Sequence, residues 1–115
     1  MSNHIEAGAK YMILNVASYT VVDLDNGGRG NGTKIQGWDP VWRSDKIKAQ
    51  IWKFSSEDSG YYKLFNEASG TCMDLDNGSP KNGTSIQGWG SSKVDAQLWK
   101  FDKVANRGGK LTAWT

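Results

Sequence analysis

Short apolar runs separated by turn-forming residues set the rhythm of this chain. In its first half, Tyr11 to Val16, Thr20 to Leu24, Thr33 to Trp38 and Gln50 to Phe54 are rich in Val, Ile, Tyr, Trp and Thr, the residues that suit a pleated, half-buried surface. Gly-Gly, Asn-Gly and Ser-Gly pairs punctuate them. Four short β-strands are predicted. No stretch has the length or periodicity of a helix. The pattern then recurs. Asp23-Leu24-Asp25-Asn26-Gly27 returns as Asp74-Leu75-Asp76-Asn77-Gly78, and Asn31 to Trp38 returns as Asn82 to Trp89, both 51 residues on. Between 23–38 and 74–89, 12 of 16 positions are identical. The match resumes with Ala49-Gln50-Ile51-Trp52-Lys53-Phe54 against Ala96-Gln97-Leu98-Trp99-Lys100-Phe101 at an offset of 47, so the first copy carries four extra residues (51 − 47) in the loop around Pro40, Trp42 and Arg43. Surface loops absorb such insertions at little cost. Two repeats, 11–54 and 62–101, are thus joined by the polar turn Ser55 to Gly60 and followed by a short tail, 102–115. Four-strand units of this size occur as propeller blades, but two blades cannot close a ring, whereas three such units close a small barrel.

Composition narrows the chemistry. The 115 residues fit one domain, 1–115, able to bury a core without disulfides. Fourteen Lys and Arg against 12 Asp and Glu leave a formal charge of +2, far too little for a protein whose work is neutralising phosphates, so nucleic acid is not an expected partner. The longest apolar stretch, Tyr11-Met12-Ile13-Leu14, is far short of the roughly 20 residues of a spanning helix. Met1-Ser2-Asn3-His4 lacks the basic and apolar regions of a signal peptide. A cytoplasmic protein, or one released by a non-classical route, is expected, with no membrane insertion. Cys72 has no second cysteine to pair with, and His4 lies outside the repeats, which leaves little for a metal site or a histidine-based triad. No cofactor is expected.

Several motifs invite chemistry and fail closer tests. Asp-Leu-Asp-Asn-Gly resembles the opening of a calcium loop, yet the twelfth positions hold Lys34 and Ser85 where an acidic ligand is needed. Gly28-Arg29-Gly30-Asn31-Gly32 has the wrong spacing for a nucleotide fingerprint and reads as a turn between strands. Asp23 and Asp25 stand two apart and share a strand face, a carboxylate pair conceivable for glycoside hydrolysis. The pair is duplicated, however, and a catalytic centre needs unlike residues in unlike roles. Cys72, beside Met73 in an apolar strand, reads as a small buried hydrophobe. Asn31-Gly32-Thr33 and Asn82-Gly83-Thr84 read as turns rather than glycosylated sequons.

The tryptophans divide. Trp52 and Trp99, in Gln-X-Trp segments, are expected in the core, where large aromatics dominate. Trp38 and Trp89 follow Ile-Gln-Gly at a strand end and open loops, where a ring is less easily covered. Each is accompanied by an aspartate, Asp23 or Asp74, and by an amide two residues earlier, Gln36 or Gln87. A flat aromatic face, a carboxylate and amides are what a pyranose needs, for stacking of C–H groups and for paired hydrogen bonds from vicinal hydroxyls.

Together the Asp-Leu-X-Asn-Gly, Asn-Gly-Thr-X-Ile-X-Gly-Trp and Gln-X-Trp segments, each present twice and in register, resemble those of the ricin-B-type lectins, most closely the fungal fruiting-body agglutinins, over residues 10 to 101. The resemblance implies an all-β, β-trefoil-type fold: three four-strand repeats forming a six-stranded barrel closed by three hairpins. It implies a non-enzymatic carbohydrate-binding protein with no catalytic residues. By position, Asp23 and Asp74 look like the carboxylates that grip sugar hydroxyls, Trp38 and Trp89 like stacking platforms, Gln36 and Gln87 like polar contacts, and Gln50 and Gln97 like braces. Galactose and N-acetylgalactosamine are the family's usual sugars. Ala49 and Ala96 depart from the Asn or His that many members place before Gln-X-Trp, a loss worth about 0.5–1.5 kcal/mol for one hydrogen bond. The chain is also about one repeat short: Leu111-Thr112-Ala113-Trp114 resembles the start of a third. Two-thirds of a trefoil would leave strand edges and apolar faces to cover, so a homo-oligomer is expected. The competing reading is a β-trefoil protease inhibitor or interaction module acting through loop 39–47, with Trp42 and Arg43 at its tip.

Overall fold

The computed structural model describes residues 5–102. Its seven strands are β1 (Lys10–Tyr11), β2 (Val21–Leu24), β3 (Thr33–Trp38), β4 (Trp52–Ser56), β5 (Tyr62–Asn66), β6 (Cys72–Leu75) and β7 (Ile86–Trp89). All pairings are antiparallel, in the order β1-β4-β5-β6-β7-β3-β2. The all-β expectation holds, as an open, partial barrel. Each repeat contributes a hairpin of the same register, with Asp23 opposite Gln36 in β2/β3 and Asp74 opposite Gln87 in β6/β7.

Two ladders join the repeats. β4 pairs with β5 from Trp52 opposite Asn66 to Ser56 opposite Tyr62, and β3 pairs with β7 at Thr33–Gly88 and Lys34–Gln87. The second contact needs a glycine: a Cβ on Gly88 would stand 2.9 Å from Leu24 Cδ1 and 3.0 Å from Thr71 Oγ1. The core between them is Leu24, Trp52, Phe54, Leu64 and Met73. Trp52 is fully buried as expected, its indole N–H donating to the Val22 carbonyl at 3.0 Å. Trp99 departs from expectation in degree. It donates to the Met73 carbonyl at 3.0 Å yet is partly exposed, because it borders an apolar groove on the open side, lined also by Ile13, Ile35, Leu64 and Phe101.

The strand boundaries hold for β3 and shift elsewhere. The predicted first strand, Tyr11 to Val16, shrinks to Lys10–Tyr11 plus a bridge between Leu14 and Val21. Asn15 is the cause: its side-chain carbonyl accepts from the N–H groups of Ala17 (3.0 Å) and Ser18 (3.2 Å) and turns the chain away from the ladder. Gln50, expected to open the fourth strand, ends a 3-10 helix, Asp45–Gln50, capped by Ser44 Oγ. In repeat two the fourth strand reduces to a bridge between Tyr62 and Trp99. The Asp-Leu-Asp-Asn-Gly segments end in matching 3-10 turns with Asn26 and Asn77 in the left-handed region, at φ 53° and 54°. His4 and the Leu111 to Trp114 segment lie outside the described residues.

Candidate functional site

The site is built from cross-strand geometry. Asp23 and Gln36 face each other across β2/β3, and Trp38 lies two residues beyond Gln36 on the same strand face. The Gln36 amide donates to Asp23 Oδ1 at 3.1 Å. From the end of the 3-10 helix Gln50 donates to Asp23 Oδ2 at 3.0 Å and to the Asp39 carbonyl at 2.8 Å, and its own carbonyl accepts from Val41 N–H at 3.0 Å. Gln50 is fully buried and holds three segments at once: the strand carboxylate and both sides of the loop that follows Trp38. Trp38 itself is 55% exposed, so its ring is open to a ligand.

Repeat two reproduces this arrangement. Gln87 donates to Asp74 Oδ1 at 3.0 Å, and Gln97 donates to Asp74 Oδ2 at 3.1 Å and to the Gly90 carbonyl at 2.9 Å while accepting from Ser92 N–H at 2.9 Å. Corresponding distances agree within 0.1 Å across the two repeats. Trp89 is 39% exposed. Asp23 and Asp74 are buried yet fully partnered, each oxygen accepting from an amide, which is what permits a carboxylate to sit at the floor of a cleft.

The eight residues singled out in the sequence therefore gather in two sets of four at two shallow clefts of about 390 and 410 Å³; all line a cleft except Gln97, which lies buried behind Asp74. Asp25 and Asp76 also line them, from the turns beyond β2 and β6 rather than from the strands. Ala49 and Ala96 sit in the walls, where the sequence placed the missing polar side chain. Trp42 and Arg43 are exposed on the inserted loop and line neither cleft. Sequence reading missed Lys46, which lines cleft one, and Ala68, which reaches cleft one from the other repeat. The signal for Ala68 was present in the repeated Asn-X-Ala-Ser-X-Thr pattern at 15–20 and 66–71. Among the described residues no group of three His, Cys, Asp or Glu side chains is arranged to hold a metal ion, and no helix is long and apolar enough to cross a membrane.

Each cleft thus presents an exposed indole beside a buried carboxylate and side-chain amides. The family described as "Ricin-type beta-trefoil lectin domain-like" matches residues 48–113, more than half of the chain. Among solved structures, a designed three-fold symmetric protein, ThreeFoil, superposes with a TM-score of 0.73 at 23% identity, covering 87% of this chain and 66% of that one. An exo-β-1,3-galactanase from Clostridium thermocellum gives 0.71 at 27% identity over 84% of this chain and 20% of its own. The Macrolepiota procera ricin B-like lectin in complex with lactose gives 0.62 at 28% identity over 77% and 58%. The chain spans less than two thirds of each of these three structures. No curated protein matches it. The open seven-strand array is an incomplete β-trefoil.

Proposed function

The chain belongs to the ricin-type β-trefoil lectin-like family, and from that premise we propose that its two clefts are non-catalytic sugar sites for galactose- and N-acetylgalactosamine-type glycans. The observation that carries this reading is the duplicated constellation of carboxylate, two amides and exposed indole, with the amide-to-carboxylate distances alike in both repeats to within 0.1 Å. Asp23 and Asp74 accept hydrogen bonds from two vicinal hydroxyls through the lone pairs their glutamines leave free, and Trp38 and Trp89 carry the apolar sugar face. Gln36 and Gln87 keep their amide carbonyls for a further hydroxyl, while Gln50 and Gln97 are braces. The lactose bound by the Macrolepiota procera lectin contains a galactose and supports the choice of sugar. Each site is shallow and individually weak, so useful affinity comes from several sites acting together.

Competition by lactose for binding to an immobilised galactoside tests the proposal. The Asp23→Ala, Asp74→Ala double variant is expected to lose binding. Because those changes also free buried amides, the decisive variant is Trp38→Ala with Trp89→Ala: both rings are exposed, so the fold stays intact while binding falls at least about tenfold, a loss of about 1.4 kcal/mol. A glycan array that stays blank with folded protein refutes the reading.

A second reading rests on Trp42, 68% exposed at the tip of the inserted loop with Arg43 beside it. Trp and Arg are favoured interface anchors, and a protease-inhibiting or protein-binding loop would present them so. Inhibition across a protease panel, lost when 39–47 is exchanged for its shorter counterpart, would establish it.

A further inference from the structure

Cleft one is closed by the other repeat. The β5/β6 turn, residues 66–71, seats on the 3-10 helix of repeat one: Asn66 Nδ2 donates to the Ala49 carbonyl at 2.9 Å, Glu67 N–H to Ile51 at 2.9 Å and Ala68 N–H to Lys48 at 3.2 Å. The Ala68 methyl fills the space in front of Gly27, where an added Cβ would meet it at 2.9 Å, and so Ala68 becomes part of the cleft wall. The turn arrives pre-shaped. Asn66 Oδ1 accepts from the N–H groups of Ala68 (3.1 Å) and Ser69 (3.3 Å), and Ser69 and Thr71 share a hydroxyl hydrogen bond of 2.7 Å.

Both halves of this contact exist a second time, unused among the described residues. Residues 15–20 repeat the Asn-X-Ala-Ser-X-Thr pattern, which residues 103–115 do not contain. They have the same internal shape: Asn15 Oδ1 accepts from Ala17 and Ser18 at 3.0 and 3.2 Å, and Ser18 and Thr20 are 2.7 Å apart. Among the described residues this turn is docked on nothing, with Asn15 to Tyr19 all exposed. The seat is duplicated too. The 3-10 turn Asp95–Gln97 faces Gly78, whose added Cβ would lie 3.6 Å from the Ala96 methyl, as that of Gly27 lies 3.7 Å from Ala49. Gly27 also meets Ala68, whereas among the described residues Gly78 meets no second methyl.

The spare turn is apolar where the docked one is not. Val16 and Tyr19 stand in place of Glu67 and Gly70 and are 77% and 67% exposed. Tyr19 moreover holds φ at 58°, where Gly70 holds 74°. A bulky residue in the left-handed region is strained and persists where the surrounding contacts over-determine it.

We propose that residues 15–20 of one chain seat on the Asp95–Gln97 turn of a second copy, so that the partner's Ala17 walls site two as Ala68 walls site one. Among the described residues each chain carries one spare turn and one spare seat, so two copies satisfy each other reciprocally and each completes the other's site two. The binding consequence rests on the sugar-site reading above; the assembly does not.

Sedimentation velocity from micromolar to submillimolar concentration, with and without Ala17→Glu, tests the assembly. Ala17 is exposed in the single chain, so the substitution leaves the fold intact, and it is expected to weaken self-association at least about tenfold through an unpaired charge in a closed contact. Wild-type protein that stays monomeric throughout, or Ala17→Glu protein that associates as well as wild type, overturns the proposal. The Ala17→Cys, Ala96→Cys double variant, folded and oxidised, is expected to cross-link between chains; protein that remains single chains overturns it as well. Calorimetric titration with lactose then separates the two readings. Two sites per wild-type chain and one per Ala17→Glu chain support both, whereas an assembly broken by Ala17→Glu that binds no lactose leaves the interface standing and removes the sugar sites.

Discussion

Gln50 ties Asp23 to the two sides of a loop, and nothing smaller could replace it. Gln50→Leu keeps the volume and strands the Val41 N–H and the Asp39 carbonyl, so denaturant titration is expected to show a loss of about 1–3 kcal/mol for each buried group left unpaired. That Gln50 recurs as Gln97 was legible in the sequence; what its amide touches was not, because the nearest of those partners is nine residues away in the chain and Asp23 is 27 away. Cys72 behaves as its apolar neighbours suggested. It is fully buried, and desolvation pushes its thiol above the ordinary range, opposed by a weaker hydrogen bond with Ser91. A folded-state pKa raised above the unfolded value favours the protonated thiol in the native state. That stabilisation is complete below the ordinary thiol range and is lost as pH rises through the raised value. Alkaline stability curves are therefore expected to fall more steeply for wild type than for Cys72→Ala, and thiol reagents to react slowly until the protein unfolds.

At the level of the elements, hairpin β6/β7 is more demanding than β2/β3. A methyl on Gly88 would meet Leu24 and Thr71 at 2.9 and 3.0 Å, whereas one on Gly37 meets the Thr20 hydroxyl at 3.1 Å on an exposed face. Gly88→Ala is expected to lower stability by about 1–3 kcal/mol through overpacking, and Gly37→Ala by clearly less, as read from thermal melts. β3 could be read to its ends because its alternation and flanking Asn-Gly and Pro signals are local. β1 could not, since Asn15 competes for the backbone with its own side chain. The strand expected from Gln50 begins two residues later because a capped 3-10 helix claims that glutamine first.

The whole molecule is held by contacts between its repeats. Five paired positions in β4/β5, the β3/β7 crossing and the bond from Gly90 N–H to Asn31 Oδ1 at 2.8 Å make neither repeat a separate unit. Tryptophan fluorescence and far-ultraviolet circular dichroism are therefore expected to report one coincident unfolding transition, and two separated transitions would contradict the shared core. The sequence by itself determined the duplication, the alternation of strand and turn, and the residue types that a sugar site requires, because periodicity and turn chemistry act over a few neighbouring residues. Tertiary structure alone decided that Asp23 meets Gln50, that Trp99 stays partly exposed while Trp52 is covered, and that one repeat's cleft is walled by the other's turn. Those outcomes depend on which distant segments pack together, and that is fixed by burial and by the pairing of buried polar groups across the fold.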